Sequence, residues 1–196
     1  MPPDTLRLFI AIELPTEVCE ALAALQKQLQ AVDRARAIRW SAISSIHLTL
    51  KFLGDTPADR VTAIEAAMRE AAVGRAPVSL SVSGAGCFPD TRKPRVVWAG
   101  VGGDLATLYA LREAIERTVS ALGYPTESRA FSPHLTLGRA QQEASRETLG
   151  MIGKQVETVE QRTFASWRAE RISLMRSDLK PSGAVYTKVA HVSLGG

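Results

Sequence analysis

Four residues, His-Leu-Thr-Leu, stand at 47–50 and again at 134–137, and this repeat limits the folds open to the chain. Of three histidines, two begin the identical run. With Leu common and Thr ordinary, a given histidine is followed by Leu-Thr-Leu on the order of one time in a thousand or less. On a β-strand the side-chain period of two puts His47 and Thr49 on one face and Leu48 and Leu50 on the other. The same alternation sets His134 and Thr136 against Leu135 and Leu137. Each run therefore offers an imidazole and a hydroxyl side by side, anchored from behind by two leucines. Two such strands facing each other make a cleft with two proton-transfer groups and two neutral hydrogen-bond donors.

The repeat extends beyond the motifs. Arg7-Leu8-Phe9-Ile10-Ala11 aligns with Arg95-Val96-Val97-Trp98-Ala99 at an offset of 88, the expected helix starts at Thr16 and Asp104 differ by 88, and the motif histidines by 87. Both halves read strand, helix, motif strand, helix, strand. A duplication at this spacing predicts an α+β fold of two lobes, each an antiparallel sheet backed by helices, related by a pseudo-two-fold axis. The 196 residues then form a single domain of two interleaved lobes, with the two motifs meeting in a central cleft, a favoured place for a ligand.

In order, 6–14 reads as a buried strand ending at Pro15, and Thr16 as the N-cap of a helix to about 32, with Val18, Leu22, Leu25 and Leu29 inward. A polar connection follows at 33–39. The first motif lies on a strand over 46–53, and Pro57 opens a helix to about 72. A strand at 78–82 is broken by Gly84-Ala85-Gly86. Beyond the loop 88–94, a strand at 95–101 leads to a helix ending near Leu122. The second motif strand reaches Arg139, a short helix covers 143–154, and 164–179 and 184–194 read as two strands around a turn at Pro181-Ser182-Gly183.

A net charge of +4, with 45% hydrophobic and 22% charged residues, describes an ordinary globular protein whose mild basicity suits an anionic ligand. Cys19 and Cys87 lack metal-ligand spacing, and the N-terminus lacks the form of a signal peptide or membrane span. A cytoplasmic monomer that does not engage a membrane is expected.

These residues resemble the two-histidine phosphoesterase superfamily, defined by paired His-x-Thr motifs. Within it the chain is similar to the RNA 2′,3′-cyclic phosphodiesterases, historically called 2′-5′ RNA ligases. The likeness takes in 7–15, His-Leu-Thr-Leu-Lys-Phe-Leu-Gly at 47–54, Phe88-Pro89, Pro94-Arg95-Val96-Val97-Trp98, Pro-His-Leu-Thr-Leu-Gly-Arg at 133–139, and 177–186. It implies a hydrolase in RNA processing that opens a terminal 2′,3′-cyclic phosphate to a 2′-phosphate without metal or other cofactor. The partners it implies are RNA ends or nucleotides bearing that group.

Such hydrolysis needs a base for water and an acid for the departing ribose oxygen on the opposite side of phosphorus. Two imidazoles titrating near neutrality can fill both roles. His134 is taken as base and His47 as acid, the symmetry of the motifs leaving the reverse assignment open, with Thr49 and Thr136 donating to the non-bridging oxygens. Arg139 could reach a phosphate or ribose, though alternation from His134 puts it on the opposite face unless Gly138 introduces a bulge. Lys51 shares the phase of His47 and Thr49, which places its charge at the cleft or in solvent. Phe9, Phe52 and Phe131 read first as core; the resemblance adds base stacking for Phe52. His191 has no Thr two residues on and reads as structural or exposed. The competing functions are a non-catalytic RNA-binding module, a phosphodiesterase acting on ADP-ribose cyclic phosphate or 2′-5′ oligonucleotides, and the reverse 2′-5′ ligation.

Overall fold

The computed structural model of the chain describes residues 4–180 and 183–195. Its first half runs β1 (Thr5–Ile12), α1 (Thr16–Gln30), β2 (Ile38–Trp40), β3 (Leu48–Pro57), α2 (Val61–Ala72) and β4 (Val78–Phe88). The second runs β5 (Val96–Gly103), α3 (Leu105–Ser120), β6 (His134–Ala140), α4 (Arg146–Glu157), β7 (Thr163–Ala169), β8 (Arg171–Lys180) and β9 (Gly183–Ser193). Of the turn expected before β9, Pro181 and Ser182 lie outside the described residues.

Two antiparallel sheets result, one ordered β3-β1-β8-β9 and the other β2-β6-β5-β4-β7. With edge strand β2 set aside, the two orders correspond position by position. The motif strands β3 and β6 each lie beside the strand that opens their half of the chain. The last strand of the first half, β4, joins the second sheet, and β8 from the end of the chain takes the matching place beside β1. One continuous core joins residues of both sheets and all four helices.

The helices follow their apolar periodicity. Val18, Leu22, Leu25 and Leu29 of α1 are buried, as are Leu108, Leu111, Ile115 and Val119 of α3. Asp104 caps α3 by accepting from Thr107 N at 3.0 Å. Thr16 is the first helical residue rather than a cap, since Pro15 holds the cap position without a side-chain bond.

Other expectations are corrected as well, Pro57 ending β3 while α2 begins only at Val61. Gly84-Ala85-Gly86 does not end β4, which continues to Phe88 across a bulge between Ser83 and Ala85. At Gly86 the missing side chain makes room for Trp98, because a Cβ there would lie 2.2 Å from the indole. The final third holds three strands, since Glu170 separates β7 from β8. Within the stretch read as a polar connection, Asp33 organises the start of β2: its buried carboxylate accepts from Ala37 N at 2.7 Å, Ile38 N at 3.1 Å and Trp40 Nε1 at 2.9 Å.

Candidate active site

A bulge falls on the last residue of each motif. Ile10 pairs with Lys51 and Ala11 with Thr49, leaving Leu50 as the extra residue of β3. In the other sheet Val97 pairs with Gly138 and Trp98 with Thr136, leaving Leu137 extra in β6. These registers match β1 to β5 at an offset of 87, the same as the histidines, rather than 88. An extra residue reverses the alternation beyond it. Lys51 therefore turns inward and Phe52 outward, while Gly138 turns inward and Arg139 outward. At Gly138 a Cβ would lie 2.5 Å from Ile38 Cγ2, so the backbones of β2 and β6 approach where a side chain could not fit.

The bulge at Leu137 is held from α1. Buried Gln26 donates through Nε2 to the carbonyls of Ser41 at 2.9 Å and Leu137 at 3.0 Å. Ser41 N donates to the same Leu137 carbonyl at 2.8 Å.

A cleft of about 560 Å³ opens along these strands, and His47, Thr49, Phe52, His134, Thr136 and Arg139 all line it. The two motifs, 87 residues apart, share one cavity. Arg7, Arg39, Ser177 and Tyr186 also contribute to its walls.

Both imidazoles are held alike. His47 Nδ1 lies 2.9 Å from Ser45 O and His134 Nδ1 lies 2.7 Å from Ser132 O, each carbonyl being two residues back. A carbonyl only accepts, so each Nδ1 carries the hydrogen and each Nε2 is left for chemistry. Aromatic rings fix the planes. Phe9 stacks on His47 at 4.6 Å between centroids, and Tyr186 meets it edge-on at 4.9 Å. Phe88 meets His134 edge-on at 5.0 Å. Burial pushes both histidines below the ordinary imidazole pKa, opposed in each by the carbonyl bond. The positive charge of Arg139 lowers His134 further.

Lys51 does not belong to the cleft. It is 5% exposed, and its Nζ donates to Glu116 Oε2 at 2.7 Å and Pro125 O at 2.5 Å. Arg112 donates to the other oxygen of Glu116 at 2.8 Å. Phe52 is 68% exposed at the cleft wall instead of lying in the core. Phe9, 2% exposed, is buried as expected but also backs His47. His191 is exposed on β9. Sequence reasoning missed Tyr186, Arg39 and Arg7. Arg7 and Tyr186 lay within the stretches 7–15 and 177–186 that resembled the family, which was the available signal.

Among the described residues no three His, Cys, Asp or Glu side chains cluster to hold a metal ion. No helix there is long and apolar enough to cross a membrane.

The paired His-x-Thr runs on two antiparallel sheets mark a two-histidine phosphoesterase. The chain belongs to the LigT-like phosphoesterase family, whose model matches residues 12–98 and 104–186. An RNA 2′,3′-cyclic phosphodiesterase of Methanothermobacter thermautotrophicus is 32% identical over 181 residues, covering 92% of this chain and 95% of that protein. One from Thermus thermophilus is 33% identical over 198 residues, covering 97% and 91%. A crystal structure of a Thermus thermophilus protein aligns with a TM-score of 0.79 at 31% identity, over 97% of this chain and 99% of that one. Escherichia coli LigT complexed with 3′-AMP aligns with a TM-score of 0.77 at 26% identity, over 98% and 100%.

Proposed function

We propose that the protein hydrolyses terminal 2′,3′-cyclic phosphates of RNA or nucleosides to 2′-phosphates, with His47 and His134 as an acid–base pair. The observation that carries this reading is two imidazoles lining one cleft, each with Nδ1 held by a carbonyl and Nε2 left over. His134 takes a proton from water as it attacks phosphorus, and His47 gives one to the departing 3′ oxygen. The P–O3′ bond breaks as the bond to water oxygen forms. Thr49 and Thr136 donate to the non-bridging oxygens as charge builds on them. Phe52 offers its exposed ring to the base, and Arg139 adds positive charge. The relatives named for this activity support the substrate class. The same groups run in reverse would join a cyclic phosphate to a 5′ hydroxyl, but water at its bulk concentration favours hydrolysis.

The 3′-AMP bound by Escherichia coli LigT makes the 3′-phosphate the competing product. Incubation with adenosine 2′,3′-cyclic phosphate in EDTA, with the monophosphate isomer identified by chromatography, tests both points. The expected product is the 2′-phosphate, formed at a rate EDTA leaves unchanged. A 3′-phosphate would reverse the leaving oxygen, and tight RNA binding without turnover would favour a binding module.

A further inference from the structure

The two histidines receive the same carbonyl bond from backbones built in different ways. Ser45, whose carbonyl holds His47, sits in a 3₁₀ turn at Ile43–Ser45. That turn is closed by Ser45 N donating to Ala42 O at 2.9 Å and Ile46 N to Ile43 O at 3.1 Å. Ser132, whose carbonyl holds His134, lies in an irregular stretch over 124–133. Among the described residues the backbone bond made by this stretch is at its far end, where Pro133 O accepts from Val101 N at 3.4 Å. Fixing a carbonyl on such a stretch requires ordering the chain by other contacts.

Side chains supply them. Tyr109, Arg112 and Glu116 share one face of α3 by helical spacing. The Arg112 guanidinium lies 5.4 Å from the ring centroid of Phe131, the residue before Ser132, and Tyr109 meets the same ring edge-on at 5.9 Å. Glu116 accepts from Arg112 at 2.8 Å through one oxygen and from Lys51 at 2.7 Å through the other. Lys51 in turn donates to Pro125 O near the start of the stretch. The stretch is thereby fastened near both ends by one charge cluster, in which Lys51 and Glu116 are buried and Arg112 half-buried. Such a cluster is a weak source of stability, because desolvation offsets the attraction, but it imposes one geometry where apolar packing would allow several.

We propose that Arg112, braced by Glu116 and Lys51, is a positioning residue for His134: it seats Phe131 and so places the Ser132 carbonyl that keeps hydrogen on Nδ1 and Nε2 bare. Arg112 itself does not line the cleft. The proposal rests on the reading above that His134 acts through Nε2.

Nitrogen NMR of ring-labelled histidine at about pH 8, above the ordinary imidazole titration, reads the tautomer of each ring, with His47 as the internal control. In Arg112→Met, His134 should lose its confinement to the Nδ1–H tautomer while the His47 signals stay as in the native protein. Arg112→Lys, which keeps a cation between Phe131 and Glu116, should restore most of it. Phe131→Leu repeats the test without touching the charge cluster and should act like Arg112→Met. With adenosine 2′,3′-cyclic phosphate, kcat should fall by about tenfold to a hundredfold in both, with KM near native. An unchanged His134 tautomer in both variants overturns the proposal, as does an equal change at His47, which would mean general loosening. A lost tautomer with native turnover would uphold the positioning and overturn the part of His134 in the reaction.

Discussion

Replacing Lys51 by methionine removes a charge that alternation alone would have placed in the cleft. The structure instead gives Lys51 two partners, the Glu116 carboxylate at 2.7 Å and the Pro125 carbonyl at 2.5 Å. Breaking a buried ion pair by deleting one partner costs about 3–5 kcal/mol when the other charge is left uncompensated. Here Glu116 keeps Arg112 at 2.8 Å, so the loss is nearer that of a hydrogen bond to a charged group, about 1.5–3 kcal/mol. The partly buried Pro125 carbonyl adds about 1 kcal/mol. The expected destabilisation is therefore about 2–4 kcal/mol. Glu116→Gln should cost more, because it leaves Lys51 and Arg112 facing each other across a neutral amide. Urea unfolding followed by tryptophan fluorescence measures both variants. A loss below about 0.5 kcal/mol, with KM raised instead, would put the Lys51 ammonium in the cleft and refute the bulge.

Arg139→Gln should raise the pKa of His134, since the guanidinium holds it down; the limb of the kcat/KM–pH profile set by His134 then moves to higher pH, and two unmoved limbs would contradict this. Burial lowers both imidazoles, so in the native enzyme the proton needed by the acid is lost as pH rises, and kcat/KM should fall between about pH 7 and 8.5; a profile still rising across that interval would count against the pair. Phe52→Ala should leave stability within about 0.5 kcal/mol, given the ring's exposure, while raising KM severalfold for nucleotide substrates; unaltered KM would remove the stacking role. Gln26→Leu strips the donor from two carbonyls and should cost about 1–3 kcal/mol in urea unfolding, a figure an unshifted midpoint would rule out.

Local periodicity carried the helix faces, the strand–helix order and the pairing of motifs, because each is written within a few residues. The bulges could not be read that way. The extra residue at Leu50 leaves no local mark and the one at Leu137 only the neighbouring Gly138, yet they exchange Lys51 for Phe52 at the cleft and bring Arg139 into it. The doubled motif did hold a clue, since a device needed at one site of a duplication is needed at both. Tyr186 and Arg39 depend on sheet order, which sets β9 beyond β8 in the sheet of β1, and β2 beside β6, over long stretches of chain. Glu116 was more accessible to inspection. It lies beside Ile115 on the apolar side of α3, with Arg112 one turn back, a pattern that signals a buried charge needing partners.

If the two imidazoles act as one unit on a single phosphorus, removing both costs little more than removing one. The most direct measurement is turnover of adenosine 2′,3′-cyclic phosphate by His47→Ala, His134→Ala and the double variant, each with its folding checked by circular dichroism. Each single variant should lose at least about a hundredfold in kcat, and the double variant should fall little further than the worse single one. Near-native turnover by either single variant, or losses that multiply as independent effects do, would contradict it.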